Sequence, residues 1–220
     1  MWSYRQVISS KGRNFFFGPS GFSLEVLSVL RITISTLLIF EAAILSRYLY
    51  DFYSSQGIIS PILNDIFSMK PILPKFSWFL SPLMSLGMTE MAGLQMIYAF
   101  YLSCLFFLLV GWRTKFVAAI ACFLHILIYT SGYYSSYGVD RYTHFILFYF
   151  ILVPCSEVFS IDSLKSKEKI NSKKAFATFC LRVIQIHLLI TYTTSGMEKA
   201  TGGDWIQGEA VWRALMLPGF

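Results

Sequence analysis

The sequence predicts an all-α fold: a polytopic membrane helix bundle with about five transmembrane helices and an interfacial segment between the first two. Of the 220 residues, 55% are hydrophobic and only 14% are charged, whereas soluble domains carry about 25% charged residues. The mean hydropathy is +0.58. Lysines and arginines lie mostly in short connections between apolar runs, as they do in multi-pass membrane proteins.

The five predicted spans are apolar runs bounded by polar or glycine-containing turns. They cover residues 24–46, 91–110, 116–131, 142–159 and 175–194. The second span holds twenty residues without a charge, which is enough for one crossing.

The connection from residue 47 to residue 90 is long and differs in composition from the predicted spans. It mixes apolar stretches with four prolines, at positions 61, 71, 74 and 82. Proline removes a backbone donor and interrupts a helix, so this stretch cannot form a span. We expect an interfacial or partly re-entrant segment.

Two charged residues, Arg31 and Glu41, fall inside the first predicted span. Ten residues of helix separate them by about 15 Å, so they cannot pair with each other, and each needs water or a partner on another helix. For Arg31 we favour snorkelling from the first turns of the span to the interface. Glu41 lies near the opposite end and is interpreted as interfacial too.

The composition also argues against other classes of function. The net charge of +6 comes from loop residues between apolar runs, so no nucleic acid is expected as a partner. No nucleotide-binding, zinc-protease or CxxC motif is present, and no metal is expected. The four cysteines lie in apolar runs without metal-ligand spacing, and we interpret them as small core residues; they are Cys104, Cys122, Cys155 and Cys180.

Positive charge is divided unevenly between the two predicted sides of the membrane. The N-terminal arm has three lysines and arginines, the 111–115 turn has two and the 160–174 loop has five, against four on the other side before span five. This asymmetry predicts a cytoplasmic N-terminus. A bacterial inner membrane is the expected location.

The most unusual stretch runs from residue 182 to residue 212. If its helix continues to Lys199, then Arg182, Gln185, Tyr192 and Lys199 follow at spacings of three, seven and seven residues and share one face. A polar face is costly in lipid, so it should face protein or a water-filled cavity. The alternative is that Lys199 snorkels to the interface.

A histidine near the start of the fourth span belongs to a second polar group. Asp140 and His144 are four residues apart, so they can face each other across one helical turn. The alternative is a capping aspartate beside an interfacial histidine. His125, in the third span, is expected to be a hydrogen-bonded packing residue.

Several stretches in order along the chain resemble the HTTM domain. They are Arg31 in the first span, RYLYDFYSSQGII, the turn GWRTK, SYGVDRYTHFILF, and SGMEKATGGDWIQGEA. HTTM is the membrane part shared by vitamin K-dependent gamma-carboxylase and many bacterial proteins, including the SdpB-like family. The most specific match is a Gly-x-x-Lys…Asp-Trp…Gly signature from Gly196 to Gly208, and the resemblance covers essentially the whole chain.

The resemblance implies a site on the extracytoplasmic side centred on Lys199, which would act as a base towards a reduced quinone. A lysine can serve as a base only when neutral, and burial in an apolar bundle favours the neutral form. The candidate catalytic residues are Lys199, His144 and Asp140. The candidate substrate-binding residues are Tyr192, Gln185, Trp205 and Asp204.

The chain departs from the carboxylase beyond the membrane part. It has no large lumenal domain and ends at Phe220, where the family usually continues with further apolar segments. We therefore expect one HTTM-like transmembrane domain over residues 1–220, either a fragment or a reduced member of the family. Besides the lipid bilayer, its partner is a quinone or, in the alternative function, a secreted peptide whose maturation or export it assists, as in SdpB-like proteins.

Overall fold

The structure is a computed structural model that describes residues 12, 14–18, 22–58, 73–132, 138–165 and 170–216. All regular secondary structure in these ranges is helical. Four of the helices are long and apolar enough to cross a membrane. The predicted all-α membrane helix bundle is therefore confirmed.

The helices are numbered in chain order. They are α1 (Ser23–Leu45), α2 (Leu49–Tyr53), α3 (Phe76–Ser85), α4 (Glu90–Val110), α5 (Thr114–Ser131), α6 (Gly138–Leu152), α7 (Ile161–Lys165), α8 (Ile170–Thr201), α9 (Gly203–Ile206) and α10 (Ala210–Leu215), with a 3-10 turn at Ser46–Tyr48 between α1 and α2.

The chain divides into two compact units. The larger is Pro19–Ala177, and the smaller joins Met1–Gly18 to Thr178–Phe220. The expectation of one domain over residues 1–220 stays a prediction.

The larger unit is built from helices that pack in sequence order. α1 packs on α4, α4 on α5, and α5 on α6. Fully buried leucines fill the spaces between them, among them Leu27, Leu94, Leu105 and Leu147. The faces turned away from this core carry exposed aromatic and aliphatic residues, as expected where lipid is the solvent.

The first membrane helix is longer than predicted. α1, the 3-10 turn and α2 form one helical run, Ser23–Tyr53, so the span does not end at residue 46. No glycine or proline interrupts the chain between Leu45 and Tyr53, and the helix therefore continues. The irregular part of the connection starts at Ser54.

The fourth predicted span is shorter than expected. Instead of running from residue 142 to residue 159, α6 covers Gly138–Leu152, 15 residues. Pro154 follows two residues later, and proline disfavours helical geometry in the residue before it. A helix of this length spans about 22 Å, less than the apolar thickness of a bilayer.

The proline-rich connection contains the short helix α3. It has ten residues with Pro82 inside, too few for a crossing, which fits the expectation that it is not a span. Its start is held by the end of α5, where Ser131 Oγ accepts a 2.7 Å hydrogen bond from Phe76 N. It lies close to α4 at Gly93, where a Cβ would approach Leu80 to 2.7 Å. Residues 59–72 lie outside the described residues.

The smaller unit is organised around α8. This helix runs unbroken to Thr201, so the predicted continuation through Lys199 is confirmed. Phe17 stacks on Phe179 with a centroid distance of 5.2 Å, and the Arg182 guanidinium lies 4.6 Å from the Phe15 ring. These contacts join the N-terminal aromatic residues to the helix.

Candidate functional site

At one end of the larger unit, Arg31 is fully buried, with 0% exposure. Its Nε donates to Cys155 O at 3.1 Å, Nη1 to Leu109 O at 2.6 Å and also to Leu108 O, and Nη2 to Phe159 O at 2.7 Å. We call this arrangement the carbonyl clamp. The prediction that Arg31 snorkels is wrong, because the end of α4 presents carbonyls that lack helical partners and attract a cation.

Asp162 completes the same end of the unit. Its carboxylate accepts hydrogen bonds of 2.9 Å from the backbone N–H groups of Arg113 and Thr114 and from the Thr114 hydroxyl, so it caps the start of α5 from another helix. Partial burial raises the pKa of Asp162, but these hydrogen bonds outweigh it and the pKa lies below its usual value. This end is thus a satisfied polar network with a structural role.

The opposite end of the larger unit encloses a cavity of about 390 Å³. Helices α1, α2, α4, α5 and α6 all contribute to its wall. The volume falls within the range of small-molecule sites. Much of the wall is aromatic: Tyr48, Phe52, Tyr53, Tyr98, Tyr101 and Tyr129.

Three titratable residues also line this cavity: Glu41 from α1, His125 from α5 and Asp140 from α6. His125 is only 6% exposed, and its Nδ1 lies 2.9 Å from the Tyr101 hydroxyl. Its Nε2 is buried and has no hydrogen-bond partner among the described residues. Buried polar atoms in native proteins are nearly always paired, so an orphaned nitrogen in a cavity wall indicates a missing ligand or water.

His144 lies beside this group. Its ring is 4.9 Å from the His125 ring and 4.9 Å from the Tyr129 ring, measured between centroids. Its Nε2 is likewise buried without a hydrogen-bond partner in the described ranges. Tyr101, His125, His144 and Tyr129 therefore form a row of adjoining rings, here called the Tyr–His row. Arg141 donates to the Tyr129 hydroxyl at 3.1 Å.

Of the predicted site residues, Asp140 lines the cavity, and His144 lies behind the wall, against the rings of His125 and Tyr129. Both belong to α6, with Asp140 in its first turn. The structure adds residues that the sequence did not assign to a site, since His125 was interpreted as a packing residue and Glu41 as interfacial. A titratable side chain inside an apolar helix was the sequence feature that could have indicated a functional role for both residues. Residue spacing within one helix, however, does not predict which helices pack against each other.

The predicted centre at Lys199 has a different character. Lys199 is exposed, so the expected desolvation of its ammonium group is wrong. Its Nζ lies 5.0 Å from the centroid of the Trp205 ring, within the range of a cation–π contact. Asp204 Oδ1 lies 2.9 Å from Arg213 Nη1, an ion pair that links α9 to α10.

The other two predicted binding residues also lie in the smaller unit. Tyr192 is 71% exposed. Gln185 is exposed and accepts a 2.8 Å hydrogen bond from Arg182 Nη1, which places these two residues on one face of α8. Gln185, Tyr192 and Lys199 are therefore all exposed, and the orientation of the polar stripe towards the bundle stays a prediction.

Metal binding finds no support in the described part of the chain, where no group of three or more histidine, cysteine, aspartate or glutamate residues could hold an ion. The four cysteines are buried and free. The chain matches no family model, no curated protein and no solved structure. Function is therefore inferred from the resemblance of its residues to HTTM and from the geometry of the cavity.

Proposed function

We propose that this chain is an integral membrane protein of the HTTM type, resembling the membrane part of vitamin K-dependent gamma-carboxylase, that binds a lipid-soluble molecule within its helix bundle. The cavity of about 390 Å³ in the larger unit carries the proposal. A concave, largely apolar space with a few convergent polar groups is the usual form of a small-molecule site.

The resemblance implies that the ligand is a reduced quinone. The Tyr101–His125 pair supports this ligand, because a histidine held by one ring nitrogen can exchange a hydrogen bond with a ligand hydroxyl through the other. Asp140 and His144 adjoin the same space and stay candidates for proton transfer. Lys199 stays the candidate base implied by the resemblance, and its Nζ lies 5.0 Å from the centroid of the Trp205 ring.

The location belongs to the proposal as well. The distribution of lysines and arginines favours a bacterial inner membrane with a cytoplasmic N-terminus. α1 would then run outwards, with the carbonyl clamp near the cytoplasm and the cavity near the extracytoplasmic side.

Ligand analysis of the purified protein tests the proposal. We expect solvent extraction followed by mass spectrometry to recover a quinone from the wild type. Ile128, 7% exposed, lines the cavity, and Ile128→Trp should lower the recovery at least threefold by filling it. Phe116, on the same helix, is 65% exposed and lies outside the wall, so Phe116→Trp is the matched control.

The possible results test the location of the binding site and the identity of the ligand separately. Equal recovery from both tryptophan variants would place the bound molecule outside the cavity. Recovery of another lipid-soluble molecule, lost in Ile128→Trp alone, would keep the cavity and reject the quinone. A wild type that retains no such molecule would contradict the proposal and favour the accessory function in maturation or export of a secreted peptide.

A second experiment tests Lys199 as a base. Arginine keeps the charge but cannot lose its proton near neutral pH. With a reduced quinone supplied, we expect oxygen uptake by the wild type to be lost in both Lys199→Arg and Lys199→Ala, while membrane insertion and melting temperature change little. Lys165→Arg, another exposed lysine, should behave as wild type. Full uptake by Lys199→Arg would show that the lysine is only an anchor.

A further inference from the structure

The wall of the cavity holds acidic and aromatic side chains, which together favour one chemical class of ligand. Glu41 lies inside an apolar stretch of α1 and lines the cavity. Within the described ranges it has no hydrogen bond or ion pair. A carboxylate at membrane depth is costly unless it is protonated or paired. A second carboxylate, Asp140, lines the same space.

The aromatic residues of the wall also make the cavity suitable for a cation. Tyr48 and Phe52 lie next to each other, with ring centroids 6.4 Å apart, and Tyr98 and Tyr101 lie 6.1 Å apart. Aromatic faces attract ammonium groups, and several rings around one space form the cages that bind substituted ammonium ions. No lysine or arginine is among the described residues of the wall. Arg141, a cation on α6, is held on the Tyr129 hydroxyl.

The rest of the wall is apolar and would hold the body of such a ligand. Leu38, Ala42, Leu45 and Ile128 contribute to it. The buried Nε2 of His125, unpaired among the described residues, supplies one further polar contact. The wall therefore combines two carboxyl side chains and several aromatic rings with apolar side chains, which matches an amphiphile with one positive end.

We propose that the cavity binds an organic ammonium ion with an apolar body, held by Glu41 and the surrounding aromatic rings. This inference rests on the proposed function for the cavity as a ligand site, and it names a different class of molecule from the quinone that the resemblance implies. The two are separable, because a cavity for neutral lipid-soluble molecules would satisfy the proposed function without selecting positive charge.

Titration calorimetry with benzyltrimethylammonium on the whole chain in neutral detergent tests the inference. We expect saturable binding that is at least tenfold weaker in Glu41→Gln. Glu25→Gln is the matched control, because Glu25 lies in the first turn of the same helix and does not line the cavity. Neopentylbenzene, which replaces the nitrogen with carbon, should bind at least tenfold more weakly than the cation.

A second variant tests the inference even if Glu41→Gln does not fold. Tyr48 is 49% exposed, so Tyr48→Leu should fold, weaken binding of the cation about fivefold and leave binding of neopentylbenzene unchanged. Probe binding in nanodiscs distinguishes a lipid headgroup from a free amine as the source of the ammonium group. Weaker probe binding in phosphatidylcholine than in phosphatidylglycerol would mean that a lipid headgroup occupies the cavity. Equal binding in the two lipids would mean that the natural ligand is a free amine.

Two results would overturn the inference. Equal affinity for the cation and its neutral isostere, unchanged in Glu41→Gln, would show a cavity without charge selection, and the proposed function would stand. Absence of probe binding to the wild type would reject the ammonium ligand, while the extraction experiment with Ile128→Trp would still decide the proposed function.

Discussion

Replacing Arg31 should destabilise the larger unit strongly, and the size of the effect can be worked out from the carbonyl clamp. Two of the four acceptors have second partners: Leu108 O also accepts from Gly111 N at 3.2 Å, and Cys155 O from Ser28 Oγ at 3.2 Å. Leu109 O and Phe159 O have no other partner among the described residues. Arg31→Met therefore leaves two part-buried carbonyls unsatisfied.

An unsatisfied buried acceptor costs about 1–3 kcal/mol, so two part-buried ones cost at most about 2–6 kcal/mol. Removing a buried guanidinium also relieves its desolvation, which offsets part of this loss. We expect the free energy of unfolding of Arg31→Met to fall by about 3 kcal/mol. Arg31→Lys should lose about half as much, because a compact ammonium cannot reach carbonyls on two sides as the planar guanidinium does.

Reversible unfolding by SDS in mixed micelles measures this difference. Arg47→Met is the matched control, since Arg47 lies in the 3-10 turn after α1 and has no buried neighbour within that turn, and it should change stability by less than about 0.5 kcal/mol. A snorkelling arginine predicts the opposite order, with Arg31→Lys tolerated. If Arg31→Lys and Arg47→Met are both as stable as the wild type, the clamp does not hold the bundle together.

Three further predictions concern the same unit and its orientation. Gly111→Ala should cost more than Gly87→Ala in an unfolding assay: both glycines have positive φ, but only at Gly111 would a Cβ also meet the Arg31 guanidinium, at 3.1 Å. Asp162→Asn should lower stability at neutral pH, because a carboxylate with a lowered pKa stabilises the fold only while it is ionised. The difference in stability from the wild type should therefore shrink as pH falls below about 4. A difference that does not depend on pH would contradict this cause. In a cysteine-free background in intact cells, an impermeant thiol reagent should spare cysteines on the cytoplasmic side and label those outside, and the reverse pattern would reject the orientation. The cytoplasmic test positions are Ser10, Lys115 and Lys167, and the outer ones are Ser55 and Ser136.

The long helices could be predicted from the sequence because each is a long apolar run, and this pattern suffices when lipid is the solvent. The end of α6 was missed, although Pro154 stands two residues beyond it and signals it. The continuation of α1 through α2 was missed because polar residues such as Arg47 and Asp51 resemble a loop, although they do not break a helix.

The site was harder to predict, for a physical reason. The partners of Arg31 are backbone carbonyls, and a carbonyl has no signature in a sequence. The partner of His125 is Tyr101, on the preceding helix, and only the packing of α4 on α5 brings them together. Asp140 and His144 could be found because their spacing lies within one helix.

The two ends of the larger unit differ in how their polar groups are satisfied, and this difference argues for their roles. At the clamp, Arg31 and Asp162 are bonded to backbone groups that would otherwise be unpaired, so the network needs nothing from outside. At the cavity, Glu41 has no partner in the described part of the chain, and the Nε2 atoms of His125 and His144 have none either. Burying the two histidine nitrogens without partners is unfavourable, and so is placing a charged carboxylate at membrane depth. A bundle that satisfies one end fully therefore leaves the other open because a ligand, a proton or water completes it.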